Sequence, residues 1–303
     1  MKNRILLSFL AAGVLLSGCS KNESGDHSDG GRAVIRLGSG VAMVSKAPVT
    51  SGTQFTAGIA GWENTATETY AAAPLWNTTI QTTASAEEGQ AVTWTAQQYY
   101  NADENTTTYM KAWHPAGTLS GTSVTFGNTD GSVDALLAPV VSGTKEDKDG
   151  KVLAFAHQTA QINFKVKAGT GLAENTTLRS IKIKDAQLPT GFDLKKTDAD
   201  AVIYGEAADL PVPLKTNDLV IGTTAEGDDA SDPVMIKPIT GNTFTIDVVT
   251  SNATYTGQTV TVTGTNVAAG TAYDVTLTFG QSGITLKATV TDWKKETGSA
   301  DIE

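Results

Sequence analysis

Apolar and polar residues alternate with a period of two along much of this chain, the repeat of a strand whose successive side chains point to opposite faces of a sheet. Ala33, Ile35, Leu37, Val41 and Met43 share one side of an extended segment, interrupted at Ser39, while Arg36, Gly38 and Gly40 take the other. Ile162, Phe164 and Val166 alternate with Asn163, Lys165 and Lys167, and Ile181 and Ile183 with Lys182 and Lys184. These strands have one wet face, as antiparallel sheets allow. The plainest hairpin is predicted near the end, where Tyr273, Val275, Leu277 and Phe279 alternate with Asp274, Thr276 and Thr278. Its turn, Gly280 to Gly283, leads into Ile284, Leu286, Ala288 and Val290. A slip of one residue would turn all of those apolar side chains into water, so the register is strongly specified. Phe244, Ile246 and Val248 read the same way, as do the short segments Phe55 to Trp62, Leu75 to Ile80, Ala91 to Tyr100, Tyr109 to His114, Val124 to Phe126 and Val133 to Val141. Turn-forming polar residues separate them. No stretch keeps a helical period, and no repeat of fixed spacing stands out. An all-β protein is expected.

The run Ser142 to Lys151 (SGTKEDKDGK) is the most polar and charged of the interior. It predicts a division into two domains, 33–148 and 149–303, each long enough for its own core. Ahead of them, Ser20 to Gly31 contains no large apolar residue and cannot bury enough surface to offset its ordering entropy, so residues 19–32 read as a flexible tether. Residues 1–18 have the form of a secretory signal: Lys2 and Arg4, then a nearly unbroken apolar run from Ile5 to Leu16. That run is shorter than the roughly 20 residues a spanning helix needs. Leu16-Ser17-Gly18-Cys19 resembles a bacterial lipobox, which implies that Cys19 is acylated and becomes the mature N-terminus. Cys19 is the only cysteine, so no disulfide can form within the chain. Each buried CH₂ of an acyl chain contributes about 0.8 kcal/mol, and two or more chains hold a protein durably to a bilayer.

Charge narrows the partners. Losing residues 1–18 removes Lys2 and Arg4 and no acidic residue, which moves the formal charge from −10 to −12. An acidic chain without Lys/Arg clusters has no electrostatic footprint for phosphates, so nucleic acid is not an expected partner. Hydrophobic content of 40% is sufficient for real cores.

Little in the sequence points to catalysis. His27, His114 and His157 lie far apart with no ligand at a metal-site spacing. Ser142-Gly143-Thr144-Lys145 fits S-x-x-K formally, but the accompanying motifs of serine acyl-transfer enzymes are absent. Asp147-Lys148-Asp149-Gly150 imitates the start of a calcium loop, yet Ala156 stands where the closing Glu belongs. Both segments, and the acidic group Asp228, Asp229 and Asp232, read as solvated loops. No cofactor is implied. Trp62, Trp76, Trp94, Trp113 and Trp293 are expected in core or edge packing, and are also the residues a sugar-stacking platform would use.

Several segments, in their order along the chain, resemble the Bacteroidetes fimbrillin family, the subunits of type V pili and related surface adhesins. They are Tyr109-Met110-Lys111-Ala112-Trp113-His114-Pro115, Asp134-Ala135-Leu136-Leu137-Ala138, Phe155-Ala156-His157 and Asp292-Trp293. The resemblance implies two tandem transthyretin-like (Greek-key) β-sandwiches, export as an outer-membrane lipoprotein, and removal of the N-terminal strand. Assembly with other fimbrial subunits, or with itself, by donor-strand exchange would follow, and a host or bacterial surface ligand is a further partner. Family members are commonly cut after an Arg just beyond the first strand; here Lys46 holds that place, and Arg32 and Arg36 lie before or inside the strand. Cleavage after Lys46, Arg32 or Arg36 is the open expectation. Ten residues follow Trp293, little for a separate donor appendage, so an anchor, tip or stand-alone adhesin is expected as readily as a shaft subunit. The competing reading is a glycan-binding surface lipoprotein. A hydrolase stands third, needing two carboxylates about 5 to 10 Å apart across one cleft.

Overall fold

The computed structural model describes residues 31–41, 49, 52–64, 70, 72–85 and 89–291. Cys19, His27, Lys46 and Trp293 lie outside them. The first half runs β1 (Gly38–Val41), β2 (Gln54–Asn64), β3 (Trp76–Thr83), β4 (Gln90–Ala91), β5 (Thr93–Trp94), β6 (Thr107–His114), β7 (Thr118–Ser120), β8 (Ser123–Thr125), β9 (Leu136–Leu137), β10 (Val141–Gly143) and β11 (Val152–His157). The second runs β12 (Ala160–Ala168), β13 (Thr177–Ala186), β14 (Pro189–Asp193), β15 (Val202–Tyr204), β16 (Ala208–Pro211), β17 (Leu219–Val220), β18 (Asp228–Asp229), β19 (Val234–Ile236), β20 (Thr243–Thr250), β21 (Thr254–Thr261), β22 (Ala272–Gly280) and β23 (Gly283–Thr291). The chain is all-β, as the two-residue rhythm predicts. Most of the segments read as strands from their alternation pair in sheets, but Ala91 to Tyr100 is strand only at 91 and 93–94, and Val133 to Val141 only at 136–137 and 141.

In the first half one sheet follows the order β4-β1-β11-β9-β6-β2-β3-β5, with β10 beside β6. Only Val92 separates β4 from β5, so the path begins and ends on one chain segment and the sheet curls into two layers. Between them lie Ile35, Phe55, Ile59, Ile80, Met110, Leu136, Leu153 and Phe155, all buried. In the second half two sheets, β18-β12-β22-β23 and β16-β13-β20-β21, enclose Ile162, Phe164, Ile181, Ile183, Phe244, Ile246, Val275 and Leu277. These are the inward faces of the alternating segments. The β22–β23 hairpin pairs from Ala272↔Thr291 to Gly280↔Gly283 without a slip.

The charged run begins in β10, with Ser142 and Gly143, and residues 144–151 form the turn into β11, closed by Thr144 N–H to the Asp147 carbonyl at 3.2 Å. A division at 148/149 therefore cuts between two strands of one sheet. The chain passes from one core to the other at Gln158 and Thr159, between Phe155 of the first and Ala160 of the second.

A further sheet, β15-β14-β8-β7, joins the halves. Hairpin β14–β15 comes from the second half and pairs with β8 of the first through Gly191↔Thr125 and Phe192↔Val124. Phe192, Leu194, Ala201 and Val202 pack there with Trp62, Trp113, Val124 and Leu137 in a third buried cluster.

Candidate assembly groove around the first strand

β1 is an interior strand of its sheet, and residues 33–37 lead into it. β1 pairs in parallel with β11, from Gly38↔Val152 to Val41↔Phe155, and antiparallel with β4 at Ser39↔Gln90. Upstream of β1, Ile35 N–H donates to the Gln98 carbonyl at 2.9 Å, and Tyr100 N–H to the Ala33 carbonyl at 2.8 Å. Ala33, Ile35, Leu37 and Val41 are buried, while the side chains of Arg32 and Arg36 stand in solvent. Burying Ile35, Leu37 and Val41 is worth about 1.5 to 3 kcal/mol each.

Ser39 does not break this face. It points inward with the apolar residues and is fully buried. Its hydroxyl is hydrogen-bonded to Thr82 Oγ1 of β3 and donates to the Gln90 carbonyl at 3.2 Å. An amphipathic count treats Ser39 as an interruption because it scores the hydroxyl as wet, whereas two buried partners satisfy it here.

At the far end of the same sheet the structure brings together residues that sequence spacing kept apart. His114 and His157 are the register partners of one residue, Leu136, from its two sides. His157 Nδ1 donates to Asp134 Oδ1 at 2.8 Å, with both side chains entirely buried. Asp134 Oδ2 has no hydrogen-bond partner among the described residues. His114 Nδ1 lies 2.8 Å from the Thr56 carbonyl, and burial holds its imidazole below the ordinary range against the opposing pull of that bond and of Asp134. Asp134 and His157 fall within two of the segments carrying the family resemblance, which is the one sequence signal that could have paired them. Among the described residues no three His, Cys, Asp or Glu are placed to hold a metal.

The remaining candidates among the described residues lie in packing, strand and turn positions. Trp62 and Trp113 are buried, their indole N–H groups donating to the Ala72 and Ala116 carbonyls at 2.9 Å each. Trp76 and Trp94 meet edge to face, with ring centroids 6.2 Å apart. Ser142 lies on β10, and Lys145 Nζ, 2.6 Å from the Ala102 carbonyl, is bonded away from it. Asp147 binds Lys151 at 2.8 Å; Asp229 is held by Lys165 and Lys215 at 3.7 and 3.2 Å.

A profile of the fimbrillin-like family matches residues 46–293. The chain belongs to the fimbrillin-like family. Membership supports a fimbrial or adhesive role at the cell surface. The match begins just beyond β1, so the strand that lines the groove stands outside it. Among solved structures, this fimbrillin-like chain is similar to one described as a candidate cell adhesion protein from Bacteroides uniformis, at 19% identity over 88% of this chain and 100% of that one, with a TM-score of 0.56. A second, so described, from Bacteroides ovatus matches at 17% identity over 88% and 99% with a TM-score of 0.54. A fimbrial assembly protein from Parabacteroides distasonis matches at 10% identity over 86% and 99% with a TM-score of 0.50. At these identities the likeness speaks for the fold. No curated protein matches the chain.

Proposed function

We propose that this fimbrillin-like chain is a surface lipoprotein, exported by residues 1–18 and held to the outer membrane through acylated Cys19 and the tether 19–32. It joins other fimbrial subunits, or copies of itself, by strand exchange once its first strand is cut loose. One observation carries this reading: β1 is the first strand of its domain yet sits inside the sheet, bonded to β11 on one side and β4 on the other. Its departure would expose unpaired backbone edges and the apolar floor beneath Ile35, Leu37 and Val41, which is the surface an extended strand from another chain fills.

The geometry also ranks the three candidate cut sites. Cleavage after Arg32 leaves the strand attached to the body, and cleavage after Arg36 splits it between Ile35 and Leu37, both buried. Of the three, only a cut after Lys46 releases the whole strand.

Limited trypsin treatment of the purified protein, followed by denaturing gels without boiling and electron microscopy, tests the proposal. Ladders and polymers are expected only after the cut. Mass spectrometry of the assembled surface form should find an N-terminus at Ala47. An assembled form that still begins at acylated Cys19 would refute maturation by strand removal.

A further inference from the structure

We infer that the groove vacated by β1 selects its incoming strand by a hydroxyl and a glycine as well as by apolar side chains. The place of Ser39 takes Ser or Thr, and the place of Gly38 takes glycine. The inference rests on the strand-exchange reading above; it concerns which strand fills the groove, and in which register.

An alternating apolar strand can slide by two residues and still present the same face, so apolar pockets alone fix register weakly. Ser39 changes this. Its hydroxyl donates its one proton to the Gln90 carbonyl, which leaves Thr82 as the donor in the bond between the two hydroxyls. Thr82 is buried too. When β1 leaves, the Thr82 hydroxyl and the Gln90 carbonyl face the empty groove. A strand that laid an apolar side chain over them would cover both without a partner, which is the costly half of the hydrogen-bond balance. A slide of two residues puts the counterpart of Leu37 or Val41 there. One buried polar contact thus excludes the neighbouring registers, as a single buried polar residue does in other repetitive interfaces.

Gly38 adds a steric condition next door. A Cβ at this position would stand 2.7 Å from the Cα of Gly89. Both atoms are fixed to backbone, so no side-chain rotation relieves the clash. The groove therefore reads apolar residues at the places of 33, 35 and 37, then glycine, then a hydroxyl, with a last apolar residue at the place of 41. The fitting partner is an extended strand of another subunit that carries a Gly-Ser or Gly-Thr pair behind alternating apolar residues.

The test uses the full chain with a recognition sequence for a site-specific protease inserted between Lys46 and Ala47. After cutting, excess fluorescent peptide of residues 33–44 is added, and its entry is followed by anisotropy and by intact mass under non-denaturing conditions. The natural peptide and Ser39→Thr should enter. Ser39→Val, Gly38→Ala and a peptide with Leu37 and Ser39 exchanged should each bind about tenfold more weakly or worse. Ser39→Val should regain affinity on a Thr82→Val acceptor; should that acceptor fail to fold, the comparison of peptides on the natural acceptor still decides. Equal binding of the natural, Ser39→Val and exchanged peptides would overturn the selection while leaving strand exchange standing. Failure of the natural peptide to enter would overturn strand exchange itself.

Discussion

Asp134 and His157 meet with both side chains out of water, and removing one partner of such a pair strands the other. Asp134→Ala is expected to cost about 3 kcal/mol or more, read as a fall in the urea midpoint at unchanged slope; a loss below ~1 kcal/mol would mean that water replaces the carboxylate. His114 adds a pH dependence. Burial holds its imidazole below the usual value, so the unfolded chain takes up a proton that the folded chain resists. Its contribution is intact above about pH 6.5, the ordinary histidine value, and is lost as pH falls from there toward the folded value. Denaturation at pH 7.5 and 5.5 should show stability declining toward acid, and His114→Gln should flatten the decline; an unchanged slope in the variant would exclude His114 as its source. Tyr100 is the converse case. Its ring is fully buried, its hydroxyl has no hydrogen-bond partner among the described residues, and burial, with Asp147 and Asp149 nearby, pushes the phenol up to about 12. Tyr100→Phe should be neutral or stabilising by up to about 1 kcal/mol, and a marked loss of thermal stability would reveal a partner for that hydroxyl.

Strands were the most legible elements because burial on one face writes itself into alternate residues. The β22–β23 hairpin follows its predicted register residue by residue. What the alternation hides is the exception that packs. Strand β2 carries glycines directly opposite tryptophans, Gly58↔Trp113 on β6 and Gly61↔Trp76 on β3. Each ring lies across the bare glycine, and a Cβ at Gly58 would come within 2.5 Å of the Trp113 ring. Gly58→Ala should therefore destabilise the first sheet by about 1 to 3 kcal/mol through overpacking, visible as a lower melting temperature with shifted tryptophan emission. A mutant as stable as the parent would show that the indole can tilt away. No periodicity rule marks these glycines, since glycine scores as neither wet nor dry. Ser39 reads as an interruption for the related reason that its partners, Thr82 and Gln90, are more than forty positions away.

At the scale of the whole molecule the sequence misplaced its punctuation. A charged run signals exposure, and residues 144–151 form a turn within one sheet, exposed at Glu146, Asp147, Asp149 and Gly150; the passage between cores at Gln158–Thr159 carries no charge at all. Nor could local pattern show that β14 pairs with β8, a contact set by tertiary packing. That shared sheet should make the halves unfold together. Lys111 of β6 reaches across the same seam, its ammonium 2.7 Å from the Leu194 carbonyl and 3.5 Å above the Tyr70 ring. Four of the five tryptophans lie in the first half, so fluorescence reports mainly on it. Phe192→Ala, a change in the second half, should remove about 3 to 5 kcal/mol and shift the fluorescence and circular-dichroism transitions equally. Transitions that separate would show the halves to be independent. The parallel pairing of β1 with β11 bears on how such a molecule takes tension. A chain held at its N-terminus and pulled from its second half is drawn backward along β1 and forward along β11. The hydrogen bonds between these two strands are then loaded in shear, sharing the pull, where an antiparallel neighbour drawn from the same end would peel away one bond at a time.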